Sequence, residues 1–231
     1  ENSHFILCED TRRSGKLLSH YKIKGKLIAY HKYNEKKISK KIINLIKKNN
    51  IISLISDAGT PAISDPGLLL VNECLNERVN VYPIPGPSAV TSAVSISGFE
   101  DKYIFYGFPP KTEGEIDKVF KGLSELDFSI VFFIPSKKIN FFLNKFKKFF
   151  ENRKIFIGKE MTKIYENIIR DKIESIKSFS SPLKGELTVI LSKKIKIKNS
   201  KKEIDEATKI EIKEMLKKYS LKDVVKFISK K

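Results

Sequence analysis

Three groups of residues in this sequence have the types and the spacing to do chemistry. Cys8-Glu9-Asp10-Thr11-Arg12-Arg13 sets two carboxylates, a hydroxyl and two guanidiniums directly after the apolar run Phe5–Cys8. Such a cluster at a strand terminus can bind or polarise a hydroxyl substrate. The competing reading has Asp10 or Thr11 capping the next helix while Arg12 pairs with an acid. The second group, Ser56-Asp57-Ala58-Gly59-Thr60-Pro61-Ala62-Ile63-Ser64-Asp65-Pro66-Gly67, follows the apolar run Ile51–Ile55 and holds two Gly, two Pro and two Asp. Gly lets a backbone approach a ligand closely, and Pro fixes the path of the chain. The third group is Gly158-Lys159-Glu160-Met161-Thr162-Lys163 with Lys184-Gly185-Glu186, charges beside buried runs that point either into a cleft or along a solvated hairpin.

A further turn, Ile84-Pro85-Gly86-Pro87-Ser88-Ala89, leads into a helix rich in Ser, Ala and Thr. Pro87 suits a first-turn position and Ser88 offers a capping hydroxyl. The small side chains beyond it allow close approach of a flat ligand or, equally, of another backbone. No Gly-Lys-Ser/Thr follows the 56–67 loop at P-loop spacing, and no Gly-x-Gly-x-x-Gly occurs. The loop therefore suits an uncharged or cationic ligand better than a phosphate-rich one, and Asp57 with loop carbonyls would suit a positive centre or a ribose. His4, His20 and His31 are scattered, so no metal is expected, and no Gly-x-Ser-x-Gly elbow marks a serine hydrolase.

The elements that must position these groups alternate. Strand-like runs are Phe5–Cys8, Leu27–Tyr30, Ile51–Ser56, Val79–Ile84, Ile104–Tyr106, Ser129–Ile134, Lys154–Gly158 and Leu187–Leu191, with helical patterns near 12–20, 35–48, 67–77 and 87–97. Alternation of this kind predicts an α/β architecture with mostly parallel strands, whose ligands bind where loops leave the carboxyl ends of strands. After Gly98 the register changes, and 98–102 reads as a hinge between two α/β units. Ile155–Gly158, Ile164–Ile169 and Leu187–Leu191 lie closer together, as in a mixed or antiparallel sheet. The expected division is an N-terminal domain over 1–98, a C-terminal domain over 99–193 and a basic tail over 194–231, with helices over Ile204–Tyr219 and Leu221–Ile228.

A chain of 231 residues with 41% hydrophobic residues and 16 Phe can bury real cores. No apolar run approaches the ~20 residues of a membrane span, and no secretory leader is read at the start. Cys8 and Cys74 are the two cysteines and sit in apolar runs, which predicts core thiols and a reducing cytoplasm. The 45 Lys and Arg exceed the 27 Asp and Glu by 18 charges, which points to a polyanionic partner, nucleic acid above all. Against that, only 5 of the 45 are Arg, and abundant Ile, Asn and Lys would also follow from an A- and T-rich genome.

Taken in order, 8–18, His31 with Asn34-Glu35, 56–67, 85–89, Tyr-Gly-Phe-Pro-Pro at 106–110, 159–163 and Lys-Gly-Glu-Leu-Thr-Val-Ile-Leu at 184–191 resemble the small-subunit ribosomal RNA cytidine-2′-O-methyltransferases of the tetrapyrrole methylase superfamily. The resemblance spans nearly the whole chain, and the ordered set is far more specific than any one segment. It implies a two-domain tetrapyrrole methylase-like α/β fold, with S-adenosylmethionine in the cleft between the domains and a homodimer. It implies methylation of a cytidine ribose 2′-hydroxyl in the decoding region of 16S rRNA. Carried over by position, Asp57, Ala58, Gly59, Pro61, Pro87, Ser88, Ala89, Met161, Thr162 and Gly185 would line the cofactor. Glu9, Asp10, Thr11 and Arg12 would face the substrate, with Glu9, Lys159 or Glu160 as the base. The family opens with a strand and a Thr-Pro-Ile-Gly-Asn-Leu loop that forms part of the cofactor pocket; the residues here start past it, at Glu1. Phe133-Ile134-Pro135-Ser136-Lys137-Lys138 and Lys111-Thr112-Glu113-Gly114-Glu115 also depart from the family pattern. Two other readings stay open: methylation of a tetrapyrrole-type small molecule on the same scaffold, and an inactive basic RNA-binding protein.

Overall fold

The computed structural model describes residues 2–195 and 206–228. The chain forms two compact units, Glu1–Lys194 and Ile195–Lys231. The first unit opens with β1 (Phe5–Cys8), α1 (Thr11–His20), β2 (Lys26–Ala29), α2 (Glu35–Lys47), β3 (Ile52–Leu54) and α3 (Leu68–Asn76). The three strands form one parallel sheet in the order β2-β1-β3, with Cys8 opposite Ala29 and Leu7 opposite Leu54. Parallel strands need crossovers, and the amphipathic helices supply them. In α2 the buried residues Ser39, Ile42 and Ile43 recur at helical spacing, and Ile42 and Ile43 join Leu7, Tyr30, Leu70 and Cys74 in one core cluster. Both cysteines are buried free thiols, as expected.

The chain then forms α4 (Ala89–Ser97), β4 (Tyr103–Gly107), α5 (Glu113–Ser124), β5 (Ser129–Pro135), α6 (Ile139–Phe149), β6 (Lys154–Lys159), β7 (Asn167–Lys172) and β8 (Glu186–Leu191). The second sheet runs β4-β5-β8-β6-β7, with β4 and β5 parallel and the other neighbours antiparallel. It is the mixed sheet anticipated from the spacing. Its strands alternate strictly between two cores. Ile130, Phe132 and Ile134 of β5, and Leu187, Val189 and Leu191 of β8, face Phe120, Phe142, Phe146 and Phe150 of the α5–α6 layer. Val131, Phe156 and Ile190 face Val90 and Ala93 of α4 on the other side. The small side chains of α4 thus serve close packing on that face. At the far edge, Arg153 is buried and its guanidinium donates to four carbonyls, those of Ser124, Leu126, Phe128 and Ser192, at 2.7–3.0 Å.

Two expected strands are corrected. Val79–Ile84 forms no strand: Val81, Tyr82 and Ile84 are exposed, and no backbone–backbone hydrogen bond involves residues 80–86 among the described residues. The apolar alternation is real, but no neighbouring strand offers a ladder, and Pro83 and Pro85 have no N–H to give. The strand expected over Ile164–Ile169 instead spans Asn167–Lys172. Turns closed by the Lys163 N–H on Glu160 O and the Glu166 N–H on Lys163 O occupy the preceding residues and leave Ile164 and Tyr165 exposed.

In the second unit, α7 (Glu206–Met215) and α8 (Leu221–Ile228) realise the two tail helices, although Ile204 and Asp205 lie outside the described residues. Ser220 caps α8, accepting from the Asp223 N–H at 3.3 Å while its hydroxyl donates to the Asp223 carboxylate at 2.6 Å. Among the described residues no helix is long and apolar enough to cross a membrane.

Candidate active site

The carboxyl ends of β1, β2 and β3 share one edge because the strands are parallel. The Tyr30 N–H bonds Cys8 O at 2.8 Å and the Ile55 N–H bonds Leu7 O at 2.9 Å. Beyond these last rungs the chain leaves as Glu9–Asp10, His31–Asn34 and the 56–67 loop. Asp10 is the N-cap of α1: its carboxylate accepts from the Arg12 N–H at 2.8 Å and pairs with the Arg12 guanidinium at 2.8 Å. These bonds hold the Asp10 carboxyl well below the usual carboxylate range. Thr11 opens the helix. The capping reading of Asp10 is therefore realised, and Arg12, on the solvent side, spends its charge on Asp10.

Glu9 differs. Its Oε1 is closed off from solvent and makes no hydrogen bond among the described residues, and His31 Nδ1 on the next strand end is in the same state. Burial raises the Glu9 carboxyl, the negative charges of Asp65 and Asp57 raise it further, and His31 opposes them. Asp65 is likewise raised by burial, against a hydrogen bond from Ser56, with Asp57 and Glu186 adding to the rise. Arg13 reaches Asp57 at 3.2 Å and supplies a counter-charge.

The 56–67 loop is bent by left-handed residues at Gly59, Ala62 and Ser64 and by Gly67 at φ 141°. A Cβ on Gly67 would lie 2.9 Å from Leu54 Cδ2, so glycine is required there, whereas one on Gly59 would meet nothing within 4 Å. The backbone at Gly59 is thus open to a ligand, and Asp57, Ala58 and Thr60 beside it are exposed. Left-handed Ala and Ser cost about 1–3 kcal/mol each, a strain that collects at functional loops. Thr60 donates to Pro87 O at 3.1 Å, which ties the loop, with Pro61, to the Pro87-Ser88-Ala89 turn. There Ser88 caps α4 through the Thr91 N–H.

The second sheet presents a matching edge. Ser64 Oγ lies 3.1 Å from the place of a Cβ on Gly107, at the end of β4. At the end of β6, Lys159 leads to Glu160 and Thr162, both left-handed at φ 48° and 65°. Glu160 Oε1 accepts from the Glu186 N–H at 2.7 Å and from Lys163 at 3.2 Å, and Lys163 also pairs with Glu186 at 2.8 Å. The Glu186 N–H and then Lys163 lower the Glu160 carboxyl, so it is held ionised. A Cβ on Gly185 would fall 2.5–2.6 Å from the Glu160 side chain, so the carboxylate lies flat on that glycine. Met161 sits where a Gly158 Cβ would crowd its sulfur and packs against the α4 core.

The structure brings Glu9, Asp57 and Asp65 together on one edge, and Glu160, Gly185 and Glu186 together on the other, with Asp65 and Glu186 within electrostatic reach. Among the described residues the Lys159 side chain shows no specific partner beyond its effect on Glu160. His31, Asp65 and Arg13 complete the first edge although sequence reasoning assigned none of them a role of its own: His31 lies just past the end of β2, Arg13 in the first turn of α1, and Asp65 near the end of the 56–67 loop. No cluster of His, Cys, Asp and Glu suited to a metal ion occurs among the described residues.

Comparison with known proteins fits this geometry. The family profile for Tetrapyrrole (Corrin/Porphyrin) Methylases matches residues 1–177. The chain is 42% identical over 193 residues to the ribosomal RNA small subunit methyltransferase I of Thermotoga maritima, covering 82% of this chain and 86% of that protein. It is 39% identical over 202 residues to the protein of that name from Rickettsia prowazekii, covering 86% and 72%. With that from Mesomycoplasma conjunctivae it shares 40% over 213 residues, covering 90% and 88%. The crystal structure of the methyltransferase CobJ shares the fold, with a TM-score of 0.58 at 13% identity over 83% of this chain and 95% of that one. With its two sheets and their facing loop edges, the chain belongs to the tetrapyrrole methylase family, in the group of proteins named ribosomal RNA small subunit methyltransferase I.

Proposed function

We propose that this protein is an S-adenosylmethionine-dependent methyltransferase that modifies a cytidine ribose 2′-hydroxyl in the decoding region of 16S rRNA. The observation that carries the reading is its identity, over most of the chain, with proteins named for methylation of small-subunit ribosomal RNA. The donor set agrees with it. Three clustered carboxylates and an open loop backbone suit a sulfonium cation, and no phosphate-cradling lysine follows the loop. When bound, the cofactor supplies an electrophilic methyl group.

Asp57, Ala58, Gly59, Pro61, Pro87, Ser88, Ala89, Met161, Thr162 and Gly185 would line its site, between the 1–98 and 99–193 domains of a homodimer. The protein's own task is mostly positioning, since an in-line displacement gains much of its rate from alignment. It must also accept the proton that leaves the hydroxyl. Glu9 suits that role better than Glu160, because Glu160 is ion-paired to Lys163 and bonded to a backbone N–H. The exposed Lys side chains would hold rRNA phosphates, which position without specifying sequence.

The test is transfer of a labelled methyl group from S-adenosylmethionine to small subunits lacking the modification, with nuclease digestion to locate the label. Label on a cytidine ribose is the expected result. Label on a base, or on an added tetrapyrrole instead of RNA, overturns the reading. So does binding of RNA without any transfer, the mark of an inactive RNA-binding protein.

A further inference from the structure

Two buried polar atoms on the first sheet's loop edge have no hydrogen-bond partner among the described residues. Glu9 follows Cys8 and His31 follows Tyr30, the two residues of the last rung between β1 and β2, so His31 stands one residue further along its strand than Glu9, and the two side chains are within electrostatic reach of each other. The backbone of His31 is fully committed. Its N–H donates to Asn34 Oδ1 at 2.9 Å, its carbonyl accepts from the Asn34 and Glu35 N–H groups, and Asn34 Nδ2 donates to Ala29 O at 3.0 Å. The backbone of His31 is therefore fixed by a closed turn, yet the Nδ1 of its imidazole has no hydrogen-bond partner among the described residues, and neither has Glu9 Oε1. Buried polar groups in folded proteins are otherwise almost always satisfied, and exceptions ask for a reason. The neighbouring charges give no such reason. Asp57 is occupied by Arg13, Asp65 takes a hydrogen bond from Ser56, and Asp10 is spent on Arg12.

We infer that Glu9 and His31 form a two-point seat for the acceptor hydroxyl, with Glu9 accepting its proton and His31 holding its oxygen in line. This rests on the methyltransferase reading above and adds a residue to it. The terminal torsion of His is soft and roughly two-fold, so a half-turn carries Nδ1 to the other side of the ring, while the two oxygens of the Glu9 carboxylate are equivalent and either can meet the hydroxyl. As the new oxygen–carbon bond forms, the hydroxyl proton passes to the Glu9 carboxylate, and the electron pair of the broken carbon–sulfur bond leaves with the thioether product. Charges balance: a sulfonium cation and a carboxylate anion become a neutral thioether and a neutral carboxylic acid. His31 neither gains nor loses a proton.

The test compares wild type with His31→Phe and His31→Asn in the full chain. Asn keeps a short polar group near the place of Nδ1, and Phe keeps the ring without it. The expected result for His31→Phe is a fall in kcat of about a hundredfold with KM for small subunits within about twofold of wild type, and partial recovery in His31→Asn. Affinity for the demethylated cofactor, read by calorimetry, should stay unchanged in both. The melting temperature of His31→Phe should stay level or rise, because an unsatisfied buried atom is removed. A fall in melting temperature that accounts for the lost activity, or unchanged kcat in His31→Phe, overturns the inference. An inactive wild type would instead overturn the methyltransferase reading, and the two failures are distinct.

Discussion

At the scale of single residues, the environment divides acids that the sequence presents as equals. Glu9, Asp10 and Glu160 are all carboxylates beside strand ends, yet Asp10 and Glu160 are held ionised by hydrogen bonds while Glu9 is pushed the other way by burial and by Asp65 and Asp57. A carboxyl whose folded pKa is raised binds its proton more tightly in the folded state. Its stabilising contribution is therefore complete in acid and is lost as pH rises through the folded value. Glu9→Gln should accordingly raise the melting temperature at pH 7 relative to wild type. That gain should shrink as pH falls toward 4, which paired thermal melts across pH would read. A gain independent of pH would show that charge is not the cause. Asp57 carries a different expectation. Its ion pair with Arg13 joins a well-exposed guanidinium to a partly covered carboxylate, and a pair open to solvent on one side contributes little to stability. Asp57→Ala should weaken binding of the demethylated cofactor about tenfold or more, the worth of a hydrogen bond to a charged group, and leave RNA affinity within about twofold. Equal losses in both, by calorimetry and filter binding, would make Asp57 a structural turn residue.

At the scale of elements, the second sheet is locked at one edge and open at the other. Arg153 ties the end of α5, the start of β5 and the end of β8 to the start of β6. Burial lowers its pKa, opposed only by Asp127. Replacing it by Met leaves four buried or half-buried carbonyls without donors. Unsatisfied groups of this kind cost about 1–3 kcal/mol each before relaxation and water entry. Arg153→Met should therefore lower stability by about 3 kcal/mol or more in chemical unfolding, and Arg153→Lys, with three donors, by less. Little of this was legible beforehand. The strands around it were, because alternating apolar runs such as Ser129–Ile134 and Leu187–Leu191 meet two cores. The candidate loops were equally legible, since Gly, Pro and Asp after an apolar run have few other uses. What escaped was any feature whose meaning depends on a distant partner: four carbonyls for Arg153, a missing ladder for Val79–Ile84, and the strand-end proximity that pairs His31 with Glu9. The Glu160–Gly185 stack is of the same kind. It joins residues 25 positions apart that only the antiparallel β6–β8 pairing brings together.

At the scale of the whole molecule, the excess of 18 positive charges acts as a field. Lysine predominates over arginine, so the field favours attraction and steering over planar, bidentate reading of bases. Affinity for ribosomal RNA should then fall steeply with salt. If about five phosphates are contacted, raising salt from 50 to 200 mM should reduce binding on the order of a hundredfold. A flat salt profile would assign the charge to composition alone. The exposed stretch from Val81 to Pro87 acts at this scale too. Pro83, Pro85 and Pro87 remove three amide donors from a stretch whose residues 80–86 make no backbone–backbone hydrogen bond among the described residues. A neighbouring chain laid against it would find carbonyls to donate to and few donors in return. The prolines thus guard exposed apolar side chains and an unpaired backbone that would otherwise invite strand-to-strand aggregation.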